Sequence, residues 1–244
     1  LFRMLTALLL FGVGFGFVEA AVVVYLRAIY APIHQRLYPD RAADDLFPIL
    51  RPAQLRAEGP QHVRQLGTEL VREVATVIML AAAGMATARN AREWLAAFMI
   101  AFGVWDLLYY VFLKLLIDWP ATLATWDLLF LLPVPWVGPV WAPVMVSLSM
   151  IAAGVVVLWR ESTGIPVRLG WSQWSLITAG GIIVIVAFCW DWRNVMAGGE
   201  PHPFNWPLFS LGGGVGLTGF VLAIRPVQGD FERSRSAALN ASAG

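Results

Sequence analysis

Six long apolar stretches follow one another along this chain. In hydrocarbon a backbone can satisfy its own hydrogen bonds only as a helix or as a closed barrel. Runs of roughly 18 or more apolar residues read as spanning helices. Here they fall at about 4–29, 67–88, 94–117, 139–159, 171–190 and 207–224. Only 14% of the residues are charged against 59% hydrophobic, and the mean hydropathy is +0.68. Little sequence is left for a soluble domain. The expected fold class is all-α: a polytopic integral membrane helix bundle of about six transmembrane helices. It forms one transmembrane domain over 1–224, followed by a polar cytoplasmic tail at 225–244. The apolar stretch from Met4 to Leu26 is too long for a typical signal-peptide core, and no clear cleavage site follows it, so it reads as a true span. Because the chain starts at Leu1, an initiator methionine or a short leader is expected before it.

Two regions interrupt the pattern. The polar loop 30–65 holds Pro32, Pro39, Pro48, Pro52 and Pro60, which argues against one long helix and for short surface helices and turns. After Asp118-Trp119-Pro120 closes the third span, Thr125-Trp126-Asp127 has the form of a helix start. The apolar residues beyond it carry Pro133, Pro135, Pro139 and Pro143. Broken backbone at membrane depth survives only under protein cover. A short re-entrant or interfacial segment is therefore expected over about 127–138.

The basic residues set an orientation. Arg3, Arg89, Arg92, Arg160, Arg168, Arg225, Arg233 and Arg235 fall on one side, whereas Lys114 and Arg193 flank the short loops of the other. The positive-inside rule then puts both termini in the cytoplasm of a cell with the protein in its inner membrane. The first loop opposes this with Arg36, Arg41, Arg51, Arg56 and Arg64, accompanied by Asp40, Asp44, Asp45 and Glu58. Trp119, Trp126, Trp136, Trp141, Trp190, Trp192 and Trp206 mark the outer boundary, where an amphipathic ring is favoured.

The sequence also suggests an internal repeat. Phe15–Arg27 (FGFVEAAVVVYLR) set over Phe102–Lys114 (FGVWDLLYYVFLK) pairs Glu19 with Asp106 and Arg27 with Lys114. More weakly, Thr76–Ala82 lies over Ser147–Ala153. Acids and bases inside spans are rare, so matched ones carry more weight than matched leucines. The expectation is a parallel repeat of a two-helix hairpin, its axis along the membrane normal.

Chemistry, if present, should involve those acids. An ionised carboxylate in hydrocarbon must face protein or water, find a partner, or take a proton. Arg27 and Lys114 follow Glu19 and Asp106 by about 12 Å along the helix, too far to pair. The partners must come from other helices, and the second span offers Glu69, Arg72 and Glu73 on one face. The expected intramembrane polar cluster is Glu19, Glu69, Arg72, Glu73, Asp106, Tyr109 and Tyr110. It serves either as an ion-pair network locking the bundle, as a proton or cation pathway, or as a carboxylate site for a divalent metal. The last is disfavoured because no histidine falls within a span. Arg27, Lys114, Asp127 and Asp191 are expected as charges at the outer boundary.

Several activities find no support. Net charge +1 leaves no basic stripe for nucleic acid. Cys189 is the only cysteine, which excludes an internal disulfide and thiolate clusters. His34, His62 and His202 are expected in outer loops, so no haem ligated by histidines within the spans is anticipated, nor any metal site. The chain contains no HExxH, P-loop, Gly-x-Ser-x-Gly or paired-cysteine motif. No catalytic residue is assigned. Gly12 and Gly16, like Gly212 and Gly216, suit close helix packing. Residues 199–207 read as a rigid outer loop entering the last span, with Pro207 near the helix start.

Three function classes fit. The leading expectation is a non-catalytic subunit of a larger membrane complex of bacterial type, contacting lipids and either other membrane subunits or copies of itself. The tail has too little apolar surface for a core of its own, so any ordered form of it would require a partner chain. The second class is a small transporter or a proton- or cation-translocating protein using the carboxylates within its spans. The third is an intramembrane enzyme acting on a lipid or quinone, with Glu73, Asp106, Asp127 and Tyr110 as candidates. A bound lipid, quinone or carotenoid is compatible with any of them.

Overall fold

The structure is a computed structural model and describes residues 1–42, 45–165, 167 and 169–225. Asp44, Arg168 and the tail from 226 onward, with Arg233 and Arg235, lie outside the described residues. In chain order the elements are α1 (Phe2–Leu37), α2 (Pro52–Glu58), α3 (Pro60–Thr87), α4 (Ala91–Ile117), β1 (Trp126–Phe130), β2 (Trp136–Pro139), α5 (Trp141–Ser162), α6 (Trp171–Cys189), α7 (Trp192–Met196) and α8 (Trp206–Ile224). Six helices, namely α1, α3, α4, α5, α6 (continued through α7) and α8, are long and apolar enough to cross a membrane. The protein is a polytopic membrane helix bundle.

The six alternate in direction. Leu8 near the start of α1, Leu80 near the end of α3, Ala97 near the start of α4, Leu158 near the end of α5 and Ala223 at the end of α8 share one core. Both ends of the described chain therefore lie at one end of the bundle. The 38–59 connection, the β strands and α7 occupy the other. α4 is the central helix, packing along α1, α5 and α3, whereas α6 and α8 pack chiefly on each other. α1 meets α3 only briefly, which leaves room between them.

Close approach rests on missing side chains. A Cβ on Gly12 would lie 2.6 Å from Val104, and one on Gly16 would lie 2.9 Å from the Trp105 carbonyl, so both glycines seat α1 on α4. Gly180 and Gly212 do the same for α6 and α8: a Cβ on either would lie within 2.8 Å of the other helix's backbone. Gly216 is looser, its nearest neighbour being Gly180 Cα at 3.9 Å.

Two sequence expectations need correction. α1 does not stop at Ile29 but continues through Pro32 to Leu37, and α3 starts at Pro60 rather than near 67. Hydropathy marks where a helix leaves the apolar layer, not where it ends. An interior proline removes one helical hydrogen bond, and contacts beyond it offset the loss. Ile33 is buried, the His34 ring N–H donates to the Pro48 carbonyl (3.0 Å), and Arg36 pairs with Glu58. Pro60 stands at the first turn of α3, where its missing N–H is no loss.

The second correction concerns 127–138. Trp126 begins a strand, not a helix: β1 and β2 pair antiparallel, with Trp126 opposite Pro139, Asp127 opposite Gly138 and a bulge between Leu128 and Phe130. Pro133 and Pro135 forbid a continuous helix, and the aromatic and aliphatic residues around them suit a pleated surface. Covering protein supplies what a two-stranded ribbon lacks. Trp136 stacks on Phe188, and Gly138 leaves space that Phe188 and Phe204 fill.

Candidate functional site: an acidic cavity beneath the β-hairpin

A cavity of about 600 Å³ opens where α1 and α3 part, walled on its third side by α4 and roofed by β1 and the 45–55 segment. Helical spacing delivers its polar lining. Residues three and four apart share a face, so α3 presents Glu69, Arg72 and Glu73 together. α4 presents Trp105, Asp106, Tyr109 and Tyr110; α1 presents Glu19, Arg27 and His34; and β1 adds Asp127. All seven residues expected in the intramembrane cluster line this one space. Val24, Ile49, Leu55 and Leu66 are among its apolar lining.

The carboxylates divide into two kinds. Glu19 and Glu69 share one guanidinium. Arg72 Nη1 donates to Glu19 Oε1 at 2.5 Å, and Arg72 Nε donates to Glu69 Oε2 at 2.9 Å, with a second close contact from Nη2 to Glu69 Oε1. Thr76 Oγ1 adds a longer bond to Glu19 Oε2, 3.5 Å. This charge-assisted fork joins α1 to α3 across the cavity floor.

Glu73, Asp106 and Asp127 are held differently, each by neutral donors. Both oxygens of Glu73 accept the Leu131 backbone N–H, at 2.9 and 3.0 Å, which ties the β-hairpin turn to α3. Asp106 accepts from the Ser147 hydroxyl on α5 at 2.8 Å and is 7% exposed. Asp127, 2% exposed, accepts from the Tyr110 hydroxyl at 2.9 Å and from the Leu128 N–H at 2.9 Å. No ion pair reaches any of the three among the described residues. Burial pushes the Asp127 carboxyl above its ordinary range, opposed by the Tyr110 hydroxyl, the Arg27 charge and the Leu128 N–H.

The expected boundary charges take four separate places. Arg27 lies over the Trp119 ring at 4.1 Å, a cation–π contact at the cavity rim. Lys114 pairs with Asp118 at 2.6 Å and donates to the Pro120 carbonyl at 3.2 Å. Asp191 accepts from the His202 N–H (2.8 Å), the His202 ring (2.9 Å) and Asn194 (2.9 Å), closing the 191–202 loop. Asp127 is not a boundary charge at all. Because β1 turns it inward onto Tyr110, it belongs to the cavity.

Histidine placement also differs from expectation. His34 and His62 lie in α1 and α3, not in loops, and His34 lines the cavity. Among the described residues no three His, Cys, Asp or Glu side chains converge closely enough to hold a metal ion. The acids are spread around a volume rather than aimed at a point. Sequence reading also missed Trp105 and the hydroxyl partners Thr76 and Ser147. The hydroxyls carried a signal, since they stand over each other in the repeat alignment. No protein-family model matches the chain, and no curated protein or solved structure is significantly similar to it.

Proposed function

We propose that this protein is a small membrane carrier that translocates protons or cations, using the carboxyl groups of Glu73, Asp106 and Asp127. The observation that carries this is the pairing pattern: three buried carboxylates with only neutral donors face one ligand-sized cavity. An intramembrane carboxylate without a cation needs a proton or a positive ligand. A cavity of about 300–1,000 Å³ is the usual size for a small molecule. The Arg72 fork is the structural part of the same cluster, linking the helices while the three free acids work.

The repeat belongs to this reading. Glu19 accepts from Thr76 and Asp106 from Ser147, positions that the alignment matches. We read them as one acid–hydroxyl pair present in two helical hairpins. We also place the β-hairpin and the roofed end of the cavity on the outer side of the inner membrane, with both termini in the cytoplasm. Ala124→Cys should then react with an impermeant maleimide in intact cells of a Cys189→Ser background, and Ser162→Cys should not. The opposite labelling would reverse the orientation.

The subunit reading rested on glycine-faced spans and on the tail. Gly12, Gly16 and Gly212 are occupied by contacts within the chain, and most of the tail lies outside the described residues. The cavity therefore supports the carrier reading more directly. Its test is proton movement in liposomes containing the purified protein and an entrapped pH dye, under an imposed potential. The wild type should move protons faster than empty liposomes, and Asp106→Asn should lose most of that increment. Equal rates in all three would end the proposal.

A further inference from the structure

The cavity's walls specify more than a proton. Protons need only a file of exchangeable groups, whereas this space is ligand-sized and largely apolar. Its acids outnumber its bases: seven carboxyl groups line it, Glu73, Asp106 and Asp127 among them, against Arg27, Arg72 and the imidazole of His34. Arg72 is already held by Glu19 and Glu69, and Arg27 sits over Trp119 at the rim. With the acids ionised the interior field is negative, and in a low-dielectric setting such a field acts strongly on a charged ligand.

A second observation points the same way. Trp105 is 5% exposed and lines the cavity, and its indole N–H has no hydrogen-bond partner among the described residues. Buried indole N–H groups normally find one. Trp105 packs against Phe15 and Phe102, so this wall of the cavity is aromatic, and an aromatic wall near carboxylates without ion pairs suits an organic cation. The acids surround a volume instead of converging, which suits a charge carried on an extended body better than a bare ion.

We propose that the cavity between α1, α3 and α4, beneath the β-hairpin, binds a lipophilic organic cation, its charge among Glu73, Asp106 and Asp127 and its apolar body along α1 and the roof. This rests on the carrier reading and names its substrate class.

The test uses two ions of one shape and opposite charge. Tetraphenylphosphonium should bind the purified wild-type protein in micelles saturably and above the micelle background, while tetraphenylborate, measured in a separate sample, should not bind saturably. The double variant Glu73→Gln/Asp106→Asn should weaken phosphonium binding at least tenfold. Absence of saturable phosphonium binding to the wild type, or equal binding of both ions, overturns the proposal without recourse to any variant. Unchanged affinity in a folded double variant overturns it as well. If phosphonium fails to bind while the wild type still moves protons in liposomes, the substrate class falls and the carrier reading stands. If both fail, both fall.

Discussion

The proposed repeat matches Glu19 with Asp106, yet replacing each acid by its amide should have different consequences. Glu19 gives its charge to Arg72 at 2.5 Å. A hydrogen bond to a charged group contributes about 1.5–3 kcal/mol and a neutral one about 0.5–1.5 kcal/mol. Glu19→Gln turns the first kind into the second, so a loss of about 1–2 kcal/mol follows. The loss stays moderate because Arg72 keeps Glu69 and a quarter of its side chain is exposed. Asp106 has no cation to lose. In Asp106→Asn the amide oxygen still accepts the Ser147 hydroxyl, and a neutral group needs no counter-charge. Asp106 lines the cavity, where the amide N–H groups meet water, so the change should cost less than Glu19→Gln. Denaturant unfolding of the micelle-solubilised protein, followed by tryptophan fluorescence, measures both. If Asp106→Asn costs as much as Glu19→Gln or more, Asp106 has a charged partner that this account lacks, and the division of the acids into two kinds is wrong.

Three further outcomes follow from the same contacts. Glu73→Ala removes the acceptor of the half-buried Leu131 N–H, so it should destabilise by about 0.5–1.5 kcal/mol and speed amide exchange in the β-hairpin ahead of the helices; uniform exchange would show that Glu73 does not anchor the turn. Gly180→Ala puts a Cβ 2.6 Å from the Gly212 carbonyl and should cost about 1–3 kcal/mol by overpacking. Gly213→Ala, with nothing within 4 Å, should be neutral or slightly stabilising, and thermal melts of the pair decide it. Burial raises the Asp127 carboxyl, so the folded state holds that proton more tightly than the unfolded chain does. Its contribution to stability is therefore greatest below the unfolded value and declines as pH rises towards the folded one. Asp127→Asn should flatten that part of the pH profile of unfolding, and an unchanged profile would refute the assignment.

Much of this architecture was legible in sequence because the bilayer imposes length and composition on every span. The bounds of α4, α6 and α8 follow from apolar runs alone. What escaped reading lies where protein replaces lipid as the environment. Helix α1 passes Pro32 because contacts from Ile33, His34 and Arg36 offset one lost bond, and no hydropathy window reports such contacts. Asp127 was misplaced because its strand could not be inferred from a segment with prolines at 133, 135 and 139, and a strand turns alternate residues inward. The acids and Arg72 were readable as a cluster because charges in spans are conspicuous. Trp105 was not, since one more aromatic residue in a membrane protein draws no notice until its N–H is found unpartnered.

The central claim is that Glu73, Asp106 and Asp127 take up and release protons in the cavity. The most direct measurement is difference infrared spectroscopy of the carboxyl C=O stretch during a pH titration of the reconstituted protein. The account predicts bands that change reversibly with pH and lose intensity, one at a time, in Glu73→Gln, Asp106→Asn and Asp127→Asn. Bands that stay fixed across the titration, or that respond equally in all three variants and the wild type, would contradict it.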